Sequence, residues 1–412
     1  MVERIAADWL AAASLQAVFD ALEKGGEQAR AVGGSVRNTL LGVPVTDIDI
    51  STTNPPEEVV RRIKAAGLRA VPTGIEHGTV TVVSDHDAYE VTTLREDVET
   101  HGRHATVRFG RDWVKDAERR DFTMNALYVD RNGHLFDPVN GLTDLNARRI
   151  RFIGDPAARI REDYLRILRF FRFHAQYGLG ELDKAGLHAA IEGRDGLRRL
   201  SAERIGLEMR KLVSAPRAPE TLRLMADIGI LEIVLAGIAR IVDFANLRRL
   251  DPVAGETRAP AVGLAALAGF VDEDIDRISD RMRLSNAERK RMMGALHVAD
   301  RAGRPDRSLS AKELVYRHGR TAAVDGLLLA WARQGGDPGD RHFSDELDLA
   351  RSFHAPQFPV RGRDLLGLGV PRGPRVGEWM ALLERAWIDA DFQPTSAELL
   401  RLVHAEASPD AG

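Results

Sequence analysis

The run Val32–Thr53, VGGSVRNTLLGVPVTDIDISTT, joins a diglycine turn to an alternating Asp-Ile-Asp-Ile segment. A period of two is the pattern of a strand with one wet face and one buried face. Asp47 and Asp49 then project from one side, and Ile48 and Ile50 bury on the other. Two carboxylates at that spacing suit a hard divalent cation such as Mg²⁺, which takes oxygen ligands and keeps water and substrate phosphates in its shell. Gly33 and Gly34 have no Cβ, so a phosphate can approach their backbone N–H groups where a helix begins. Arg37, one turn into that helix, adds a fork of donors for phosphate oxygens. Singly, Asp-x-Asp is common on solvated strands and Gly-Gly is common before helices. Together in one stretch they fit metal-dependent nucleotidyl transfer.

Around this stretch the chain has 412 residues, a net charge near −3 and 44% hydrophobic residues. That length allows about two to four core-bearing domains. The absence of cysteine excludes disulfides and thiolate chemistry and fits a reducing, cytoplasmic setting. No basic-then-apolar leader opens the sequence, and no apolar run approaches the ~18–20 residues of a membrane span. With so little net charge, any RNA-binding surface must come from locally concentrated basic residues.

Residues 1–25 read as two short helices around Ala12–Ser14, with Leu15, Val18, Phe19 and Leu22 on an apolar stripe. Ala29–Val32 reads as a strand, Ser35–Leu41 as a helix and Asp47–Ser51 as the carboxylate strand. Pro55-Pro56 open a helix that Gly67 ends. Gly78–Ser84 and Ala88–Thr93 flank Asp85-His86-Asp87 as a hairpin. Tyr89, Val91 and Thr93 share one face, so Glu90 points the other way. If that face bears Asp47 and Asp49, Glu90 completes a three-carboxylate site; a plain exposed strand glutamate is the other reading. Leu94–Gly110 is charged and aperiodic, and reads as a mobile loop. Trp113–Arg120 reads as a helix, ERRDFTMNAL as the approach to an apolar strand, and Arg149–Gly154 as a last short strand.

From Asp155 onward the pattern is helical. Arg161–Phe173, REDYLRILRFFRF, puts Tyr164, Leu165, Ile167, Leu168 and Phe171 on one arc, with Glu162, Asp163, Arg166, Arg169 and Arg172 opposite. Three apart on a helix, Asp163 and Arg166 are neighbours, which an ordinary surface ion pair would also explain. A second amphipathic helix, SAERIGLEMRKLV, opens at Ser201.

These segments, in order from about residue 30 to 235, resemble the CCA-adding tRNA nucleotidyltransferases of the bacterial and eukaryotic class, which are close to bacterial poly(A) polymerases. The resemblance lies in GGSVRNTLLG with DIDIST, HGTVTVV, YEVTTLR, ERRDFTMNAL, FDPVNG, REDYLRILRFFRF and SAERIGLEMRKL. It implies an α+β fold, a small mixed-sheet head followed by an all-helical neck, body and tail. The boundaries it suggests are an N-terminal helical segment at 1–27, a catalytic head at 28–154, a neck and the start of the body at 155–240, and a tRNA-binding body and tail at 241–412. It implies two Mg²⁺ ions on Asp47 and Asp49, with Glu90 as the third acid. Gly33, Gly34 and Arg37 would hold the triphosphate, and Arg120 and Asp121 the sugar and phosphates. Asp163 and Arg166 would read the base, supported by Arg169 and Arg172.

The implied partners are the tRNA 3′ end, CTP and ATP, with neither membrane nor DNA. A carboxylate accepts from the exocyclic amine of cytosine or adenine, whereas guanine and uracil present a carbonyl there, so such a site rejects them. The segment 94–110 is a candidate for the switch from C to A. Asn38 departs from the family, which commonly has Asp after the Arg of VRD. Poly(A) addition, addition of only CC or only A, and a non-catalytic RNA-binding protein are the competing readings.

Overall fold

The computed structural model describes residues 4–407 apart from 102–103, 256–258 and 303–308. The chain divides into two compact units: residues 1–241 with 276–284, and residues 242–275 with 285–412.

The first unit is built on a seven-stranded mixed sheet. Its strands are β1 (Ala29–Val32), β2 (Asp49–Thr52), β3 (Arg69–Gly74), β4 (Thr79–Ser84), β5 (Asp87–Thr93), β8 (Tyr128–Val129) and β9 (Leu135–Phe136), in the order β3-β4-β5-β2-β1-β8-β9. β2 and β5 are parallel; the other neighbours are antiparallel. The helices Ala13–Leu22 and Pro56–Ala65 pack on one face and bury Leu15, Val18, Phe19, Leu22, Val59 and Ile63. Beneath them lie Ile50, Val80, Val82 and Val91, all 0% exposed. This apolar layer fixes which face of β2 and β5 is left for polar side chains.

Several sequence expectations change here. Strand β2 begins at Asp49, so Asp47 lies on the approach to the strand. The segment 94–110 is an antiparallel ribbon, β6 (Arg95–His101) with β7 (His104–Phe109), and not a loop. Backbone pairing between the two strands, which no hydrophobic alternation in the sequence announces, defines it. Residues 102–103 at its tip lie outside the described residues. β3 escaped the sequence reading because Pro72 and Gly74 break its pattern. After Asp121 comes a 3₁₀ turn, Thr123–Asn125, before β8. Arg149–Gly154 contributes only a bridge between Phe152 and Phe122.

The helix expected over Arg161–Phe173 is broken. One helix runs Pro156–Glu162 and a second Leu165–Tyr177, with Asp163 extended between them (φ −153°, ψ 107°). Pro156 sits at the first helical turn, and the Asp155 carboxylate caps it by accepting from the Ala158 N–H (2.9 Å). The second helix is pinned to the head through rings: Phe122 lies 4.9 Å from Phe152 and 5.1 Å from Phe173, and Phe152 lies 5.3 Å from Phe170. Further on, Ala218–Asp227 and Ile230–Leu235 are two helices, parted at Gly229 (φ +74°). Among the described residues of the second unit, the regular elements are all helices.

Candidate active site

At the diglycine turn the two glycines do different work. Gly33 has φ +71°, which only a residue without Cβ enters freely. Its N–H already donates to the Leu127 carbonyl (3.2 Å), so Gly33 shapes the turn. Gly34 starts the helix Gly34–Leu41 and lines a cavity of about 480 Å³. Arg37, Asp47, Asp49, Arg172 and Lys211 line the same cavity.

Arg37 is 7% exposed and donates only to neutral acceptors. These are Asn125 Oδ1 (2.6 Å), the Tyr177 hydroxyl (2.9 Å) and Asn38 Oδ1, which takes two N–H groups (2.9 and 3.1 Å). Asn38 in turn donates to the Pro44 carbonyl (2.9 Å). Asn38, where the family commonly has Asp, thus orients Arg37 through its amide oxygen and brings no negative charge to it. The Tyr177 and Phe173 rings lie 4.3 and 5.2 Å from the guanidinium.

Asp49 and Glu90 are register partners on β2 and β5, and both are exposed beside the buried pair Ile50 and Val91. Partial desolvation, then Glu90 and Asp47, push the Asp49 carboxyl up, with Arg120 pulling it down. Among the described residues no three His, Cys, Asp or Glu side chains converge closely enough to hold a metal ion. Asp47, Asp49 and Glu90 thus form an electronegative edge and not a closed cage. That donor set fits Mg²⁺, which uses one or two carboxylates and fills its shell from water and phosphate.

Arg120 is held by Asp116 (3.2 Å), the Tyr128 hydroxyl (3.1 Å) and Ser51 (3.2 Å). Burial opposes its charge, but Tyr128 and Asp116 outweigh that and raise its pKa. Asp121 accepts from Arg169 (2.5 and 2.7 Å), Asn125 (2.9 Å) and the Phe122 N–H (2.8 Å). Burial pushes its carboxyl up, yet Arg169 and these hydrogen bonds carry it down to about 2. Asn125 bridges Arg37 and Asp121, so the glycine-turn helix and the Leu165–Tyr177 helix share one hydrogen-bonded chain.

Asp163 and Arg166 do not form the surface ion pair that their spacing allows. Asp163 lies in the break, where it accepts from the Leu165 N–H (3.1 Å) and from Arg204 (2.6 Å). Arg166 pairs with Glu162 (2.5 Å) and donates to the Arg159 carbonyl (2.8 Å). Arg172 is held by Glu208, whose other oxygen lies 3.6 Å from Arg169. The arginines of this helix are therefore fixed in ion pairs and are not a solvated face. The sequence reading missed Arg204, Glu208 and Lys211. All three are on the helix Ala202–Val213, and their signal was the i, i+4, i+7 spacing of charge. It also missed Asn125 and Tyr177, which gave none.

Residues 29–151 match the family model described as the poly A polymerase head domain, and residues 181–241 match the one described as a probable RNA and SrmB-binding site of polymerase A. The head match and the glycine–carboxylate geometry define the class, a nucleotidyltransferase. Over 402 residues the chain is 33% identical to the mitochondrial CCA tRNA nucleotidyltransferase 1 of Mus musculus, covering 94% of this chain and 89% of that one. It is 33% identical to the CCA-adding enzyme of Streptococcus gordonii, covering 90% and 92%. The solved Bacillus stearothermophilus CCA-adding enzyme in complex with CTP superposes with a TM-score of 0.73 at 29% identity, covering 92% and 93%. The Thermotoga maritima CCA-adding enzyme complexed with tRNA shares the fold, with a TM-score of 0.70 at 20% identity, covering 98% and 97%. The chain belongs to the CCA-adding tRNA nucleotidyltransferase family. Enzymes of this nucleotidyltransferase group depend on divalent metal ions. No described helix is long and apolar enough to cross a membrane.

Proposed function

We propose that this enzyme adds C, C and A from CTP and ATP to the 3′ end of tRNA without a nucleic-acid template. The observation that carries the reading is the single cavity joining Gly34 and Arg37 to Asp47 and Asp49, beside helices whose arginines are held in place. Asp47 and Asp49 would hold Mg²⁺, with Glu90 beside them. When bound, the metal makes the 3′-hydroxyl a better nucleophile and stabilises the leaving pyrophosphate. Arg37 neutralises phosphate charge from a dry, preorganised position. Arg120 and Asp121 face the sugar and its phosphates, with Asp121 on the ribose hydroxyl, and Asp163 with Arg166 reads the base edge. Arg169 and Arg172 support the nucleotide from the same helix. Arg204 and Glu162 orient the two base readers by holding one each.

The ribbon 95–109 is a candidate for the element that shifts the site from C to A. Residues 28–154 serve as the head, 155–240 as the neck and the start of the body, and 241–412 as the remainder that grips tRNA. A chain without cysteine agrees with a cytoplasmic setting, although its mouse relative is named mitochondrial. Fractionation of expressing cells decides the compartment.

Incubation with CTP, ATP, Mg²⁺ and tRNA lacking its last three nucleotides tests the function. Two C and one A are expected, in that order. Long A tails, addition of one base type alone, or tRNA binding without incorporation would overturn the reading. Asp163→Ala should keep tRNA binding and admit UTP or GTP; unchanged CTP and ATP preference would remove Asp163 from base reading.

A further inference from the structure

One charged side chain in the cavity has no role in the network already described. The helix Ala202–Val213 carries Arg204, Glu208 and Lys211 along one ridge. Arg204 is spent on Asp163, and Glu208 on Arg169 and Arg172. Lys211 is the next residue on that ridge, is exposed, and lines the cavity with Gly34, Arg37, Asp47 and Asp49. Among the described residues its ammonium makes no ion pair or hydrogen bond. Neighbouring Ser214 gives its hydroxyl proton to the Arg210 carbonyl (3.0 Å), so it offers lone pairs and no donor.

Charge decides the ligand. Arg172 is neutralised by Glu208, whereas Arg37 and Lys211 have no carboxylate partner among the described residues. Two uncompensated cations facing a carboxylate edge that suits a divalent metal match a ligand with several adjacent negative charges. One backbone phosphodiester carries a single charge. A terminal polyphosphate carries several within a few bonds.

We propose that Lys211 binds the β- and γ-phosphates of the incoming nucleoside triphosphate, meeting from the helix Ala202–Val213 the same tail that Gly34 and Arg37 meet from the head. This rests on the nucleotidyl-transfer reading of the cavity. Lys211 acts as a mobile point charge, so its contribution is to affinity for the tail and for departing pyrophosphate, and not to base choice.

The test measures equilibrium binding of CTP, CMP and tRNA to wild type, Lys211→Ala and Lys211→Arg, in the presence of Mg²⁺. Losing one charge-assisted contact should weaken CTP about ten- to a hundredfold. Affinities for CMP and for tRNA should hold, and Lys211→Arg should restore most of the CTP affinity. The KM for pyrophosphate in the reverse reaction should rise in parallel, and an unchanged melting temperature would show that the variant folds. Weaker tRNA binding with unchanged CTP would assign the residue to the acceptor strand and overturn the proposal. Equal loss for CTP and CMP, or no loss at all, would also overturn it. A wild-type protein that prefers CTP to CMP and adds CCA, paired with an unaffected Lys211→Ala, removes this proposal alone. A wild type that binds both equally removes the nucleotidyl-transfer reading with it.

Discussion

Asp49 shows how a single residue is set by its surroundings. Its backbone is fixed by pairing of β2 with β5, its side chain sits beside Glu90, and partial desolvation and like charge push its carboxyl up. A carboxyl raised in the fold favours the folded state at low pH, and that advantage is lost as pH rises from its unfolded pKa through its folded one. At neutral pH, ionised Asp49 therefore works against the fold. Asp49→Asn should abolish C and A incorporation, while calorimetry in EDTA at pH 7 finds the variant at least as stable as wild type. A clear fall in melting temperature with incorporation retained would contradict both halves of the argument. Asp121 is the opposite case. Arg169 and the surrounding donors hold it ionised at about 2, so its contribution is present above the ordinary 3.8 and lost only as pH falls through about 2.

Among the elements, the helix Leu165–Tyr177 joins packing to chemistry. Its apolar side buries Ile167, Leu168, Phe170 and Phe171, while Arg169 and Arg172 reach across to Asp121 and Glu208. His174, on the same helix, is 5% exposed, and burial followed by the nearby Arg217 lowers its pKa from 6.5 to about 4. A histidine buried neutral binds fewer protons than its unfolded counterpart, so stability is complete above 6.5 and falls as pH drops towards about 4. The loss should approach about 3 kcal/mol at the acid end. Urea unfolding at several pH values should show this slope in wild type and a flatter one in His174→Gln. Equal slopes would mean that another group carries the pH dependence.

In the whole molecule, the first unit is not continuous in sequence. It includes Asp276–Leu284, where Ile278 and Met282 are fully buried and Arg281 donates to the Ile233 carbonyl (3.3 Å). A Cβ on Gly206 would stand 2.0 Å from the Met282 carbonyl oxygen, so that helix position and this segment are fitted backbone to side. A chain ended at residue 241 therefore lacks part of its own core. Each buried apolar side chain is worth about 1.5–3 kcal/mol, so the truncated protein should melt more than about 5 °C below the full chain. Joining Asp276–Leu284 to its end through a flexible linker should recover part of the loss. An undiminished melting temperature would show that the segment is dispensable.

The sequence by itself determined what local pattern can encode. Alternation placed Ile50 and Val91 inside and Asp49 and Glu90 outside, the glycine pair marked the turn into the helix Gly34–Leu41, and an ordered set of motifs identified the chemistry. Tertiary structure decided the partners. Period and spacing suggested that Asp163 and Arg166 are neighbours, but the helix break turned Asp163 to Arg204 and left Arg166 to Glu162. The ribbon at 95–109 was illegible because its charged sequence carries no hydrophobic period, and only backbone pairing defines it. Lys211 is indistinguishable in sequence from any other charged helix residue, because it becomes special only when a fold brings it to the cavity of Asp47 and Asp49 with its own charge unpaired. Periodicity records which face of an element is buried; which charge meets which is fixed only when distant elements pack, because Coulomb and hydrogen-bond energies depend on distances in space and not along the chain.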